Sequence, residues 1–596
     1  MNINNIARDA DFKDENPIRT VENIKNILGK YGIETDVEWA ESSVPYCYSL
    51  RVTVVGTTFG TNGKGVTKEF ALASAYGELM ERLQLGYIGV GGLQKDGNFS
   101  INDSQNETVS VKDLLSKNEK WYNAFSDGLF MFTGERCSSE NIIKQYADEN
   151  GNIVVTPYYC LNTQTKEYLP TVMRKSMYTA NGCAAGNTPE EAIVQALSEI
   201  AERHCLIRMI NEDVTPPDIP EQVLKQFQIS YDIISYLRNN GFRVVVKDCS
   251  FGEKFPVVSV CIIDKKTGRY HTHFGAYPVF EIALQRSLTE SFQGRNIESI
   301  AEHEDFQFKK ESGFDISNLR NELIFGVSKK SAFFFEGNPK YPYNNDVGFC
   351  GENNKQLFRQ CIEYFKSMGL DILVRDCSCL GFPTYQVIIP GYSEVFYQRL
   401  SPKHDENRFM KCAMRAMRNP SSASVEDLLG FLIDSLKSSK NISTIASLPL
   451  KLTANETSFI LNATLAFANY TLSRYNDVLK YLDVMIKKCD KSQLEKLICL
   501  KRYISLTIRG FDNSKIKSIL ETFHNKATVE ALYSNLNNGN NPFDEYTMHC
   551  DMNCYETCDK YSCCCQSYVN QLIALINSKT KELDFDSSCS LINTIL

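Results

Sequence analysis

Two stretches of this chain repeat one another: residues 65–82 read GVTKEFALASAYGELMER, and residues 186–203 read GNTPEEAIVQALSEIAER. They align without a gap and share a glycine, a threonine two residues later, two alanines and a final Glu-x-x-Glu-Arg. Apolar residues recur at helical spacing in both, so each stretch predicts a helix that begins after a Gly–Thr turn. The repetition predicts two related halves, each presenting one helix to a shared site.

The glutamates of these helices are candidate metal ligands. Glu78 and Glu81 lie three residues apart, on one face of the first helix, and Glu199 and Glu202 repeat this spacing in the second. Carboxylate oxygens are the ligands that Mg²⁺ prefers, and the ion usually bridges them to substrate phosphates. The alternative is a solvated helix face with ion pairs between neighbouring turns. Two copies at matched spacing, backed by small residues that imply close packing, favour the metal site.

Arginines accompany these glutamates. Arg203 directly follows the second pair, and a third predicted helix places Arg286 and Glu290 one turn apart. The arginine guanidinium binds phosphate oxygens directly. Acidic residues alone would repel a triphosphate, so a polyphosphate site here requires a metal ion as well.

A glycine-rich stretch precedes the first helix. Residues 60–65 read GTNGKG, but Thr58 and Gly65 stand where a Walker A loop needs a glycine and a serine or threonine. Two interpretations remain open: backbone amides that bind phosphate at the start of the helix, or a turn without a ligand.

These segments together resemble the YcaO family. The motifs that carry the resemblance are TNGKGVTK at residues 61–68, NGCAAGNT at residues 181–188, both Glu-x-x-Glu-Arg helices, and Phe274-Gly-Ala followed by Arg286-x-x-x-Glu290. They cover roughly residues 45–395. The resemblance implies an α+β domain built from two related halves, with ATP and Mg²⁺ as cofactors. It also implies that ATP phosphorylates the oxygen of a backbone amide, so that a sulfur, oxygen or nitrogen nucleophile attacks the amide carbon.

The resemblance also implies residue roles, carried over position by position. The nucleotide-binding residues would be Ser74, Glu78, Asn187, Glu191, Arg203 and Arg286, with Arg8 as a basic residue near the N-terminus. The metal-binding residues would be Glu78, Glu81, Glu199, Glu202 and Glu290. It assigns no catalytic residue.

Strand and helix patterns alternate until about residue 405. Strands are predicted over residues 48–55, 242–248, 257–264, 372–376 and 385–389. Helices are predicted over residues 68–83, 188–209, 278–293 and 354–368. Beyond residue 405, amphipathic helices are predicted over residues 425–436, 458–473, 475–489 and 491–506. We therefore expect an α+β domain over residues 1–404 and an all-α, TPR-like helical-repeat domain over residues 405–596.

The predicted C-terminal helical domain indicates which role within the family to expect. With a helical-repeat C-terminal domain, the chain resembles the family member that is an accessory factor for β-methylthiolation of a small-subunit ribosomal protein. The resemblance then implies a protein or peptide substrate, a methylthiotransferase or sulfur-supplying partner protein, and a homodimer. The alternatives are a peptide cyclodehydratase, a thioamide-forming enzyme, or a nucleotide-dependent binding module that does not hydrolyse ATP. Azoline-forming cyclodehydratases typically end in a proline-rich tail, whereas residues 591–596 contain no proline.

The composition is that of an ordinary globular protein, with 596 residues, 43% hydrophobic and 23% charged. The net charge of −8 disfavours direct nucleic-acid binding. We see neither a signal peptide nor an apolar stretch long enough to span a membrane, so we expect a cytoplasmic protein whose 21 cysteines are mostly reduced.

Cysteines crowd together between residues 550 and 565. Thiolates suit zinc and iron–sulfur clusters, but this spacing matches no familiar pattern of either. The sequence therefore favours a cysteine-rich helix over a metal site there.

Overall fold

The protein combines a mixed α/β domain with a C-terminal helical region. The computed structural model describes residues 12–88, 105–395 other than residues 135, 213, 299, 302, 307–315 and 327, then residues 453–547 and 566–596. The strands are β1 (Thr35–Ala40), β2 (Tyr48–Val54), β3 (Gly60–Gly65), β4 (Glu107–Ser110), β5 (Asn152–Cys160), β6 (Thr165–Pro170), β7 (Cys183–Ala185), β8 (Phe242–Asp248), β9 (Val257–Asp264), β10 (Tyr270–Ala276), β11 (Leu373–Asp376) and β12 (Thr384–Ile388).

Helices separate and cover these strands. In the α/β domain they are α1 (Pro17–Lys30), α2 (Lys68–Gln84), α3 (Val111–Thr133), α4 (Ser139–Lys144), α5 (Pro189–Asn211), α6 (Glu221–Leu224), α7 (Gln228–Asn239), α8 (Phe280–Ser291), α9 (Ile316–Phe325) and α10 (Asn354–Ser367). Toward the C-terminus they are α11 (Ala454–Thr471), α12 (Tyr475–Lys488), α13 (Lys491–Ile508), α14 (Asn513–Phe523), α15 (Lys526–Asn537), α16 (Gln566–Thr580) and α17 (Phe585–Ile595).

The strands form three antiparallel sheets. Two are three-stranded, in the orders β1-β2-β3 and β10-β9-β8. The third has the order β4-β5-β11-β12-β7, with β6 paired to β5. This sheet joins strands from distant parts of the chain, because β11 and β12 lie between β5 and β7.

Glycines let one strand approach one helix in each of three places. A Cβ atom on Gly65, Gly186 or Gly275 would lie 2.6, 2.7 or 2.5 Å, respectively, from a backbone nitrogen of the helix that follows. No other residue tolerates such an approach. Strands β3, β7 and β10 therefore hold α2, α5 and α8 at close range.

The internal repeat of the sequence is also a repeat of local geometry. Thr67 caps α2 with φ −133° and ψ 164°, and its side chain accepts a hydrogen bond from the N–H of Phe70. Thr188 caps α5 with φ −132° and ψ 162°, and accepts from the N–H of Glu191. Each threonine satisfies a backbone donor that the first helical turn leaves without a partner. The two glutamate-bearing helices thus begin in the same way.

The glycine-rich stretch is neither a loop nor a turn. Gly60–Gly65 forms β3, paired along its length with β2. A Cβ atom on Gly63 would overlap the carbonyl oxygen of Ala71 and lie 2.6 Å from the Cβ of Ala75. The glycines are present because α2 packs directly on the strand. The interpretation as a turn is wrong, while phosphate binding by the backbone amides of this stretch, part of which lines the cavity described below, stays a prediction.

We expect Gly63→Ala to destabilise the protein by about 1–3 kcal/mol or more, because the new methyl group would overlap the backbone of α2. Gly29→Ala is the matched control, since it lies within α1 with nothing near its Cβ position. It should stabilise the protein by up to about 1 kcal/mol. Chemical denaturation measures both, and an unchanged free energy of unfolding for Gly63→Ala would contradict the packing described here.

The helices α11–α15 have a core of their own. A capping box at Thr453 and Glu456 begins α11, and residues such as Leu482, Leu500 and Leu520 are buried in this core. The last two helices behave differently, because α16 packs beside α2 and α17 adds to the core of the α/β domain. The segment after residue 566 is thus part of the α/β packing.

Some predictions fall outside the described residues. They are the helix at residues 425–436, the boundary at residues 404–405 and the cysteine cluster at residues 550–565. Within the described part of the chain, no helix combines the length and the apolar character that crossing a membrane requires.

Candidate functional site

A cavity of about 570 Å³ lies where α2, α5 and α8 meet. Its walls include every predicted site residue that the structure describes, namely Ser74, Glu78, Glu81, Asn187, Glu191, Glu199, Glu202, Arg203, Arg286 and Glu290. The other predicted residue, Arg8, lies outside the described residues. The structure therefore brings together residues that are more than two hundred positions apart in the chain.

The first helix contributes two carboxylates held by one arginine. The guanidinium of Arg82 lies 3.3 Å from Glu78 Oε1 and 3.1 Å from Glu81 Oε1. The side chain of Glu81 is 11% exposed, and burial raises the pKa of its carboxyl to about 8 although the nearby Arg82 opposes the shift.

The second helix repeats this arrangement. Arg203 Nη2 lies 2.8 Å from Glu199 Oε1, one turn away along α5. Burial raises the pKa of the Glu202 carboxyl to about 7, against the opposing charges of Arg203 and Lys64. Each helix thus offers a glutamate whose carboxyl has a raised pKa.

The third helix supplies an arginine and another carboxylate. Arg286 Nη1 donates to the carbonyl of Ala276 at 3.3 Å, and Nη2 donates to Gln195 Oε1 on α5. The guanidinium lies 4.8 Å from the centre of the Tyr277 ring. Three contacts therefore fix the guanidinium at the cavity wall.

Glu191 has a structural role that its predicted ligand role did not anticipate. Its Oε2 accepts hydrogen bonds from the backbone N–H of Asp14 at 3.0 Å and from Asn187 Nδ2 at 3.0 Å. Lys13 Nζ lies 3.3 Å from Oε1. Glu191 thus fastens the N-terminal segment to the start of α5, and Asn187 also accepts from Thr20 at 2.9 Å.

Sequence reasoning missed two lysines of the cavity. Lys13 is a basic residue of the N-terminal segment that lines the wall, whereas only Arg8 was considered. Lys64 lies in β3 and its ammonium contacts the carboxylate of Glu290. The strand alternation of β3 would have revealed Lys64, because a residue between two helix-facing glycines must face the other way.

The donor set fits Mg²⁺ and a polyphosphate. No three His, Cys, Asp or Glu side chains of the described residues converge tightly enough to hold a metal ion by themselves. Mg²⁺ does not need such a cage, since it usually binds one or two carboxylates together with substrate phosphates and water. Ion pairs to arginine and lysine already occupy Glu78, Glu199 and Glu290, so phosphate groups could take over these cations as the carboxylates bind metal.

Without Mg²⁺, we expect the free energy of unfolding to fall by about 1 kcal/mol as the pH rises from about 6.5 to 8. The folded protein keeps a proton on Glu81 up to about pH 8, whereas the unfolded chain loses it near 4.5, so unfolding releases protons in this range. Burial lowers the pKa values of His204 and His271 below 6.5, so the unfolded chain binds more protons at these residues near pH 6.5 and they oppose the decline there. Glu202 adds to the decline, because burial raises its pKa to about 7.

Chemical denaturation at several pH values in EDTA measures how the free energy of unfolding falls with pH. Glu81→Gln should make this pH dependence weaker. Saturating Mg²⁺ should also flatten it, because the bound ion favours the ionised carboxylates. A stability that rises over the same range would contradict the burial of this carboxyl group.

A family model and two curated relatives match this chain. The family model described as YcaO cyclodehydratase, ATP- and Mg²⁺-binding, matches residues 62–393, more than half of the chain. The Ribosomal protein S12 methylthiotransferase accessory factor YcaO of Escherichia coli (strain K12) is 30% identical over 350 residues, covering 56% of this chain and 58% of that protein. An uncharacterized protein of Haemophilus influenzae is 28% identical, covering 56% of this chain and 57% of its own. The chain thus spans less than two thirds of these relatives.

Two solved structures match part of this chain weakly. A heterocyclase in complex with substrate and cofactor is 21% identical, with a TM-score of 0.45, over 64% of this chain and 53% of that chain. YcaO from Methanopyrus kandleri, bound with AMPPCP and Mg²⁺, is 18% identical, with a TM-score of 0.42, over 65% of this chain and 94% of that chain.

The match of the family model confirms the resemblance seen in the motifs, and with it the predicted cofactors ATP and Mg²⁺. It covers the three strand–helix units that surround the cavity. This chain belongs to the YcaO family.

Proposed function

We propose that the cavity is the ATP and Mg²⁺ site and that the protein uses it in modifying a peptide or protein backbone. The observation that carries this proposal is the meeting of carboxylates and arginines from α2, α5 and α8 in one cavity. Four of the carboxylates come in the two matched Glu-x-x-Glu pairs, an arrangement that a merely solvated helix face would not bring together.

The residues divide by charge. Glu78, Glu81, Glu199, Glu202 and Glu290 would hold Mg²⁺, while Arg203 and Arg286 would orient the polyphosphate. ATP, when bound, supplies the phosphoryl group that activates an amide oxygen. Glu191 holds Lys13 and the N-terminal segment at the cavity wall.

As the specific role we propose an accessory factor for β-methylthiolation of a small-subunit ribosomal protein. The relative from Escherichia coli bears that name, and this chain also carries a C-terminal helical region. We propose that α11–α15 form TPR-like repeats in a domain beginning near residue 405, and that they recruit a methylthiotransferase or sulfur-supplying protein. A cytoplasmic homodimer is part of the same proposal.

Deletion of the gene in its own host tests this role. Intact-mass analysis of the small-subunit ribosomal proteins should then show the loss of one methylthio group from one protein. The wild-type gene should restore the modification, and a Glu199→Ala/Glu202→Ala gene should not. Unchanged ribosomal protein masses after deletion would rule the role out.

A peptide cyclodehydratase is the second candidate, favoured by the description of the matching family model. Its product differs, because cyclodehydration removes one water from a peptide. A modified peptide that is lighter by one water in cells carrying the gene, with unaltered ribosomal proteins, would favour this candidate over the accessory role.

A further inference from the structure

Lys64 is placed in the cavity by the packing of its two neighbours. The Cβ positions of Gly63 and Gly65 are taken up by the backbone of α2. Because successive residues of a strand face opposite sides, the side chain between these glycines must leave the helix and enter the cavity. It lines the cavity wall and is 27% exposed.

The ion pair between Lys64 and Glu290 differs from the ion pairs that Arg82 and Arg203 form. Arg82 and Arg203 each pair with carboxylates of their own helix, a few residues away. Lys64 instead extends from β3 to Glu290 on α8, so the pair joins two separate elements. It depends on the relative placement of β3 and α8, and a competing cation could break it without unwinding a helix.

The other charges around Lys64 are mostly negative. Glu78, Glu199 and Glu202 lie close enough to act on its ammonium electrostatically, and Arg286 opposes them. The ammonium thus lies in a mostly acidic part of the cavity where the three helices meet. A divalent ion bound there would repel it, while a polyphosphate would attract it.

We propose that Lys64 is an exchangeable counter-ion of this site: it neutralises Glu290 in the metal-free protein, and it releases Glu290 to Mg²⁺ and contacts the polyphosphate when nucleotide binds. This inference rests on the proposed nucleotide site and assigns a role that the Glu-x-x-Glu-Arg motifs do not include. Lysine suits the exchange, because its ammonium is a compact charge on a flexible stem. The arginines, fixed within their own helices, could not change partners as freely.

The proposal predicts effects of opposite sign from one substitution. In Lys64→Met, Glu290 loses its counter-ion, so Mn²⁺ alone should bind more tightly than to the wild type. Mg²⁺·ATP should bind at least about tenfold more weakly, because a phosphate contact is lost. Electron paramagnetic resonance of Mn²⁺ measures the first effect, and calorimetry measures the second. Lys68 is an exposed lysine just outside the cavity, so Lys68→Met should change neither the Mn²⁺ affinity nor the Mg²⁺·ATP affinity.

Mn²⁺ affinity that is unchanged or lower in Lys64→Met would overturn the competition for Glu290, and unchanged Mg²⁺·ATP affinity would overturn the phosphate contact. Lys64→Arg serves as a second variant if the first does not fold. It keeps the charge, so Mn²⁺ alone should bind as weakly as to the wild type, and tighter Mn²⁺ binding would contradict the proposal. Failure of the nucleotide site itself has a separate signature, since the wild type would then bind no Mg²⁺·ATP.

Discussion

Glu199→Gln/Glu202→Gln should lower the affinity for Mg²⁺·ATP by about 100-fold or more, counting about tenfold for each lost metal ligand. Both side chains line the cavity, and the two amides that replace them carry no charge for the ion. Arg203 loses its partner on Glu199 at the same time, so the cavity becomes more positive. ATP without metal should therefore bind the variant no worse than the wild type.

Calorimetry in Mg²⁺ measures the affinity for Mg²⁺·ATP, and calorimetry in EDTA measures the affinity for ATP without metal. The expected signature is loss of the Mg²⁺ dependence, and circular dichroism of the variant checks that it is folded. Glu190→Gln is the matched control, since it lies in the first turn of the same helix but not in the cavity wall, and it should bind Mg²⁺·ATP normally. A variant that keeps the full Mg²⁺ dependence would exclude these glutamates as metal ligands.

The two helices that carry the Glu-x-x-Glu pairs were predictable from the sequence. The structure has Lys68–Gln84 for the prediction over 68–83, and Pro189–Asn211 for the prediction over 188–209. Both helices have strong local signals, namely a threonine cap, charged residues in the first turn and a buried stripe of alanines. Such signals act within a few residues, so one sequence is enough to reveal them.

Strands were predictable only where they are apolar. Phe242–Asp248 and Val257–Asp264 agree with their predictions because they are rich in valine and isoleucine. Gly60–Gly65 was missed because glycine disfavours strands, and here its absence of a side chain serves packing against α2. The pairing of β11 with β5 was also beyond prediction, since nothing local specifies a partner so distant in sequence.

The convergence of the candidate residues was predictable, but the ion pairs that they form were not. The three-residue spacing predicted that the two glutamates of each pair share one face of their helix, and all four line one cavity in the structure. Which cation each carboxylate contacts depends on neighbouring elements. Glu290 pairs with Lys64 of β3, and Glu191 pairs with Lys13 of the N-terminal segment. Neither lysine lies on a helix, so helix periodicity could not identify them.

Arg286→Met should weaken ATP binding by about 100-fold and leave AMP binding nearly unchanged, since a pair of charge-assisted hydrogen bonds to phosphate contributes about 3 kcal/mol. The argument rests on preorganisation. The carbonyl of Ala276, the ring of Tyr277 and the amide of Gln195 already hold the guanidinium at the wall, so little side-chain freedom is lost when phosphate arrives. The difference between ATP and AMP isolates the terminal phosphates.

Further variants distinguish the contact of Arg286 with phosphate from the positioning of its guanidinium by neighbouring residues. Arg286→Lys should recover only part of the affinity, because an ammonium cannot reproduce the planar contacts with Tyr277 and Gln195. Gln195→Ala should lower the affinity for ATP less than Arg286→Met does. It removes only one of the three contacts that hold the guanidinium, and the positive charge of Arg286 remains. Arg243→Met, an exposed arginine on β8, is the control and should bind both nucleotides normally. Equal losses for ATP and AMP in Arg286→Met would mean that Arg286 supports the fold of the cavity and does not contact the terminal phosphates.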